Sequence, residues 1–178
     1  MVLAWRAIED GALLTARREV RNRAGAGTAP GIAVQLGAVA DVLAAVIEGL
    51  PELAFALPGG EEDWNVAQAL GHTADARAGL AMAGARAASG RWPADAPDVV
   101  PGVPGAADAD RDALLRRIAV SQRIVERAAG TISGHETEPC PLVHPLVGRM
   151  RCGEWLLFAG VHDLMHLQQL ERLEGSLR

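Results

Sequence analysis

Helical periodicity runs through most of this chain, and glycine and proline residues separate the helical stretches. From Ile32 to Leu50 the apolar residues recur at helical spacing, and Pro51 ends the stretch. Three further stretches are predicted to be helical: Asn65 to about Ser89, Ala107 to Ala129, and Gly153 to Leu173. The pattern therefore predicts an all-α protein whose core is a four-helix bundle.

The second of these helices has the most clearly marked start. Asn65 can cap its N-terminus, Gln68 three residues later completes a capping box, and Trp64 can pack against the first turn. We therefore place the helix start at Asn65, which puts His72 about two turns into the helix.

The connections between the helices predict their directions. Trp92 to Gly105 contains four prolines and two glycines and is predicted to be a loop. A helix of about 24 residues is roughly 36 Å long, and about 14 extended residues reach roughly 46 Å, so this loop can return along the whole bundle. The second and third helices would then be parallel, in an up-down-down-up order. Thr131 to Arg151 is predicted to be a second irregular connection.

The N-terminal segment Leu3 to Arg23 is predicted to form an additional helix, closed by the Gly- and Ala-rich run after it. Its arginine cluster is assigned to stabilising the C-terminus of that helix: Arg17, Arg18, Arg21 and Arg23. We expect this helix either to cover the bundle or to serve a dimer. Residues 1–178 then form a single domain, with 1–24 as the additional helix and 32–173 as the core bundle.

Composition and charge exclude several partners. The chain is 49% apolar and 22% charged, and its formal net charge is -5, which disfavours a polyanionic partner such as nucleic acid. The N-terminus lacks the unbroken apolar core of a signal peptide. The apolar stretch Ile32–Ile47 contains Gln35 and Asp41 and is too short to span a bilayer. We therefore expect a cytoplasmic protein that binds neither nucleic acid nor membrane.

Three histidines are the candidate metal ligands. His162 and His166 lie four residues apart and share one face of the last helix, within a stripe of apolar and aromatic residues. His72 lies about two turns into the second helix, where its ring can meet one from a facing helix. Three imidazoles with one coordination position left open are typical of catalytic zinc sites. Hydrogen bonds to buried carboxylates or carbonyls would satisfy the same rings without a metal.

Further residues are predicted around these rings. Asp75, one turn after His72, could accept a hydrogen bond from that ring and fix its tautomer, or could be a solvated surface residue. Gln169 could contact a ligand or a water near the metal, or pack across the bundle. Three aromatic residues are predicted as core or as the wall of a cavity: Trp64, Trp155 and Phe158. His144, before Pro145, is assigned to a hydrogen bond that fixes its loop.

Two motifs in the chain resemble the DinB/YfiT-like superfamily. Residues 64–75, WNVAQALGHTAD, are similar to that family's second helix, with its Trp, cap, His and Asp. The segments HPLVG, EWLLF and HDLMHLQQ are similar to the family's C-terminal motif. The resemblance covers roughly Ile32 to Leu173 and implies a four-helix bundle, frequently dimeric, that holds one metal ion. Carried over by position, the implied ligands are His72, His162 and His166.

The resemblance also implies a function. Its members include hydrolases and enzymes that use a low-molecular-weight thiol such as mycothiol or bacillithiol. We therefore expect a metal-dependent thiol S-transferase or hydrolase with a small-molecule substrate and one divalent ion, zinc before nickel, iron or manganese. Because no Asp or Glu can be placed over the site from the sequence, a metal-bound water, as hydroxide, or a metal-bound thiolate would carry the role of the base itself. The alternative is a non-catalytic, metal-stabilised or metal-sensing bundle that acts through protein partners, which a fourth ligand from His144 or Cys140 would favour.

Overall fold

Four long helices form the core of the protein. The structure is a computed structural model that describes residues 27–59, 63–96, 99–100, 102–145 and 147–176, with no side chains beyond residue 170. The helices are α1 (Ala29–Gly49), α2 (Val66–Ala88), α3 (Arg111–Ile132) and α4 (Cys152–Ser176), and a short 3-10 helix, Glu52–Ala56, follows α1. The predicted additional helix, Leu3–Arg23, lies outside the described residues.

Side-chain caps explain where the helices begin. The predicted capping box of α2 is present: the Gln68 N–H donates to Asn65 Oδ1 at 2.8 Å, and the Asn65 N–H donates to Gln68 Oε1 at 3.0 Å. Helix α1 begins at Ala29 because the Thr28 side chain caps it. Helix α3 begins later than predicted because Asp110 is its cap, accepting from the N–H of Ala113 at 2.7 Å.

The direction of each helix follows from contacts at its ends. The Gly105 N–H donates to the Gln68 carbonyl at 3.0 Å, so the loop after α2 returns to the start of α2. Arg111, at the start of α3, donates to the Leu50 carbonyl at 2.5 Å, just after the end of α1. The Cys152 carbonyl at the start of α4 lies beside Gly84 near the end of α2. These contacts confirm the up-down-down-up order.

The second connection is not irregular as predicted. Strands β1 (Pro139–His144) and β2 (Gly148–Arg151) form an antiparallel hairpin, and Gly148 adopts the positive φ of 80° that its turn requires. Buried and exposed residues alternate along the first half of β1, where Cys140 and Leu142 face the core. The exposed Pro139 and Pro141 lie within this strand. Because proline is rare inside strands, the sequence did not predict one here.

A buried arginine joins all four helices. Arg77 of α2 donates to Asp163 Oδ2 of α4 at 2.5 Å and to the Leu36 carbonyl of α1 at 2.7 Å. It also donates to Gln122 Oε1 of α3. The side chains of Arg77 and Asp163 are both fully buried. Burial raises the pKa of Asp163 to about 7, and the Arg77 guanidinium opposes that rise.

Helix α1 carries apolar side chains outside the face that packs in the bundle, among them Val34 and Val42. By length and composition alone its 21 residues could cross a membrane, in contrast to the expectation from Ile32–Ile47, yet a core helix can pass the same test. Its buried side chains face the bundle, among them Leu36, Leu43 and Ile47. Only 33% of its apolar window is buried, and the exposed remainder includes both polar residues and the valines Val34 and Val42.

Two glycines of α2 should respond in opposite ways to alanine. A Cβ at Gly84 would lie 2.7 Å from the Cys152 carbonyl oxygen, whereas a Cβ at Gly79 would meet no atom within 4 Å. We expect Gly84→Ala to destabilise the protein by about 1–3 kcal/mol through overpacking. Gly79→Ala, in the same helix, should stabilise it by about 0.5–1 kcal/mol. Urea denaturation of both variants measures this, and equal shifts would contradict the close packing of α2 on α4.

Candidate metal site

The three predicted histidines meet in the interior of the bundle. One ring nitrogen from each of His72, His162 and His166 lies within 4.8 Å of the others, and all three residues are buried. The Nε2 atoms of His162 and His166 are 3.3 Å apart. The His72 ring centroid lies 5.1 Å from that of His162 and 5.3 Å from that of His166. Helix α2 thus supplies one ring and α4 supplies two, at adjacent turns.

Hydrogen bonds at Nδ1 set the tautomer of two rings. His72 Nδ1 lies 2.8 Å from the Val103 carbonyl oxygen, which can only accept, so Nδ1 carries the proton. His166 Nδ1 donates to Gln169 Oε1 at 3.1 Å, because the amide nitrogen of Gln169 donates to the Gly59 carbonyl. Both rings are therefore left with an Nε2 lone pair. In metal sites, a histidine ligand usually donates its other ring N–H to an acceptor of this kind, and that hydrogen bond fixes the orientation of the ring.

The third ring shows why the site fits a cation. His162 Nδ1 is buried without a hydrogen-bond partner among the described residues. If His162 carries its proton there, its Nε2 lone pair faces that of His166 at 3.3 Å. A positive ion shared by the rings would turn this repulsion into attraction. Because imidazole nitrogen suits zinc, nickel, iron and copper, the donor set fits one divalent transition-metal ion.

Burial keeps two of these rings, those of His162 and His166, in the form that binds metals. Desolvation lowers the pKa of His162 well below its ordinary value, and the neighbouring histidines lower it further. Desolvation also lowers the pKa of His166, although its bond to Gln169 opposes the change. Neutral imidazole is the form that coordinates a metal, so the rings need not lose a proton to bind one at neutral pH.

Of two other residues predicted at the site, Trp64 contacts it and Asp75 does not. The Trp64 ring lies 5.0 Å from the His72 ring and forms a wall beside it. Of the two alternatives given for Asp75, the structure shows the surface residue: its carboxylate pairs with Arg117 at 3.3 Å between α2 and α3. The hydrogen bond to His72 Nδ1 is made instead by the Val103 carbonyl, from a loop whose path the sequence does not specify.

The aromatic residues of α4 lie against His144 in the core. The His144 ring centroid is 4.6 Å from Phe158 and 6.3 Å from Trp155. The Val147 N–H donates to His144 Nδ1 at 3.3 Å, which is the predicted loop-fixing bond. His144 is not one of the grouped ligand residues. Its ring instead closes the hairpin turn over the aromatic side chains.

The cysteines also stand apart from the histidines. Cys140 and Cys152 are free and buried, and the Cys140 thiol lies 3.7 Å from the Ala83 carbonyl, to which it donates. Burial raises the pKa of Cys152 to about 11, so its thiol stays protonated at neutral pH. Across the part of the chain that the structure describes, no fourth His, Cys, Asp or Glu joins the group.

Backbone carbonyls are the functional atoms that sequence reasoning missed. Val103 lies in the loop between α2 and α3, and Gly59 lies in the loop before α2; each fixes a histidine directly or through Gln169. A carbonyl is present at every residue, so side-chain patterns cannot single out these two. The nearest indication of these contacts in the sequence was the prediction that Gln169 could contact a metal ligand, since Gln169 links His166 to the Gly59 carbonyl.

The buried His144 should make stability depend on pH. Burial lowers its pKa from 6.5 to about 4, so the unfolded chain binds a proton that the folded chain does not. The stability from neutral His144 is then complete above pH 6.5 and is lost as the pH falls toward 4. From pH 7 to pH 5, chelator-treated wild type should lose about 2 kcal/mol more than His144→Phe. Urea denaturation at both pH values measures this, and parallel pH profiles would contradict it.

Comparison with known proteins agrees with this geometry. No curated protein and no solved structure matches the chain significantly. The family model of the DinB superfamily matches residues 35–170, which is well over half of the chain and includes all three histidines. Proteins of this superfamily bind metal ions, and the three-histidine group is where this chain could hold one. The chain therefore belongs to the DinB superfamily.

Proposed function

We propose that this protein is a metal-dependent enzyme, a thiol S-transferase or a hydrolase, that acts on a small molecule at the three-histidine site. The observation that carries the proposal is the number and orientation of the donors. Three imidazoles bring one ring nitrogen each within 4.8 Å of the others, and acceptors at Nδ1 fix the orientation of the His72 and His166 rings. A site with three protein ligands leaves a coordination position for a substrate or water, whereas structural zinc sites have four.

A bound divalent ion would supply Lewis acidity and would favour the ionised form of a water or thiol. The chain's own residues prepare the position for it. The Val103 carbonyl and Gln169 hold the rings of His72 and His166 in one orientation. The Trp64 ring shields the His72 side of the site. No carboxylate of the described residues joins the group, so the role of the base would fall to the metal-bound hydroxide or thiolate itself.

Four further proposals accompany this function. The ion is zinc first, with nickel, iron or manganese as alternatives, because a three-histidine site accepts several metals. The low-molecular-weight thiol is of the mycothiol or bacillithiol type. The protein acts in the cytoplasm as a homodimer. The thiol and the homodimer follow from the resemblance of the motifs around His72 and His166 to those of the family, and a reaction panel addresses the metal and the thiol together.

The test is a panel of reactions on protein loaded with one metal at a time. Chelator-treated protein is reconstituted with Zn²⁺, Ni²⁺, Fe²⁺ or Mn²⁺ and mixed with mycothiol, bacillithiol or glutathione and a set of electrophiles, or with esters and amides alone. Loss of free thiol and the mass of the product report transfer, and release of acid reports hydrolysis. We expect turnover that requires the metal and is absent in His72→Ala.

One result would decide for the non-catalytic alternative. That result is a chain that binds one equivalent of metal and gains stability from it, yet turns over no member of the panel. A matched control is His135→Ala, because His135 is exposed and pairs with Glu138 at 2.7 Å, away from the three rings. This variant should retain wild-type turnover.

A further inference from the structure

The outer face of α1 carries apolar side chains that the described residues leave uncovered. Val34 is 75% exposed and Val42 is 52% exposed, and both lie on the face of α1 that points away from the bundle. The exposed residues Ala38 and Ala45 continue this face at helical spacing. A contiguous apolar strip on a helix indicates a surface that something else contacts.

A groove runs beside this strip, between α1 and α3. Its volume is about 450 Å³, and eight residues line it: Pro30, Ala33, Val34, Gly37, Gln122, Glu126, Ala129 and Gly130. The absence of side chains at Gly37 and Gly130 widens the groove. Its floor is apolar at Ala33 and Ala129, and the exposed Glu126 lies at its edge. We call the strip and this groove together the α1 face.

We propose that the N-terminal segment of the same chain, Leu3–Arg23, packs along the α1 face as a helix antiparallel to α1. The attachment point favours this occupant. The segment is joined through the residues just before the cap Thr28, and the groove begins at Pro30, two residues further on. A helix over Leu3–Arg23 has as many residues as α1 and therefore the same length. If the chain reverses direction in the residues between Arg23 and Thr28, this helix can lie along the whole length of α1.

The apolar residues of the segment match such a surface. Trp5, Ile8, Ala12 and Ala16 recur at intervals of three or four residues, so that a helix would present them on one face. Burying these apolar side chains against Val34 would remove both apolar surfaces from water, which is favourable. A tethered segment also has an advantage over a second molecule, because a short connection gives it a millimolar effective concentration.

Charge complementarity gives the segment a direction. Its C-terminal end carries the basic cluster: Arg17, Arg18, Arg21 and Arg23. In the antiparallel arrangement this cluster lies beside the first turns of α1. Glu126 lies at that end of the groove, so opposite charges meet where the chain turns back. The family match begins at residue 35, so the segment is an addition to the part that carries the metal site, and the proposal is independent of that site.

Hydrogen exchange of the full-length protein tests this proposal. Backbone amides of residues 5–20 should exchange at least about tenfold more slowly than an unstructured chain. Val34→Arg, which places a charge in the α1 face, should abolish this protection. The matched control is Val120→Arg, because Val120 is 46% exposed but lines the groove between α2 and α3. That variant should keep the protection.

Each other outcome overturns the proposal. Wild-type amides that exchange at the unstructured rate would show that the segment does not pack. Equal effects of Val34→Arg and Val120→Arg would place its contact elsewhere. Protection that rises with protein concentration, together with a dimer mass in light scattering, would assign the α1 face to a second copy. Protection seen only with anionic phospholipid vesicles would assign it to a membrane surface.

Discussion

His162→Ala should weaken metal binding by more than about 100-fold, which exceeds the 10- to 100-fold loss typical of residues that only orient a ligand. His162 Nε2 lies 3.3 Å from His166 Nε2, and its removal leaves two donors on opposite helices. Competition with a chromophoric chelator measures the Kd of Zn²⁺ for chelator-treated wild type and variant. Elemental analysis of protein purified without a metal-affinity tag should give one ion per wild-type chain and far less in the variant.

Two other histidine variants make this result specific. His135→Ala removes an exposed ring and should leave the Kd unchanged. His144→Phe removes a buried ring that lies against Phe158 and outside the ligand group, so it should also bind Zn²⁺ with wild-type affinity. Unchanged metal content in His162→Ala would refute the site. Equal losses in His162→Ala and His144→Phe would instead indicate a general loss of packing.

The meeting of the three rings was predictable because it depends on helix geometry. Residues four apart on one helix share a face, and the capping box at Asn65 fixes where α2 begins, so the depth of His72 in the bundle follows from the sequence. The direction of α3 was predictable for a similar reason, since the length of the preceding loop limits where the chain can return. These features depend on local rules and on counting residues.

The features that the sequence could not predict depend either on backbone atoms, which every residue has, or on contacts between residues that are distant in the sequence. The carbonyl of Val103 accepts from the His72 Nδ1, a role for which Asp75 was one candidate, and Asp75 pairs with Arg117 instead. The hairpin at Pro139–Arg151 was missed because its prolines argue against strands. The burial of Arg77 was missed because every basic residue of the chain is arginine, and nothing local distinguishes this one from those at the surface.

Arg77→Met should destabilise the protein by about 3–5 kcal/mol, because it leaves the carboxylate of Asp163 buried and without its cation. The variant also removes the donors to the Leu36 carbonyl and to Gln122. Burial raises the pKa of Asp163 to about 7 even beside Arg77, so without Arg77 the carboxyl should take up a proton in the folded state. The stability lost in Arg77→Met should therefore be smaller at pH 5.5 than at pH 8.

A double-mutant cycle separates the ion pair from simple packing. In Arg77→Met with Asp163→Leu, two apolar side chains replace the buried charges, and such replacements are often neutral or stabilising. We expect the double variant to be more stable than Arg77→Met alone, as measured by urea denaturation at pH 8. Losses that simply add would show that the two groups do not interact. The network joins one residue from each helix. The coupling energy of Arg77 and Asp163 therefore measures how strongly a buried charge pair contributes to holding α2 and α4 together. These two helices also carry His72 and His162.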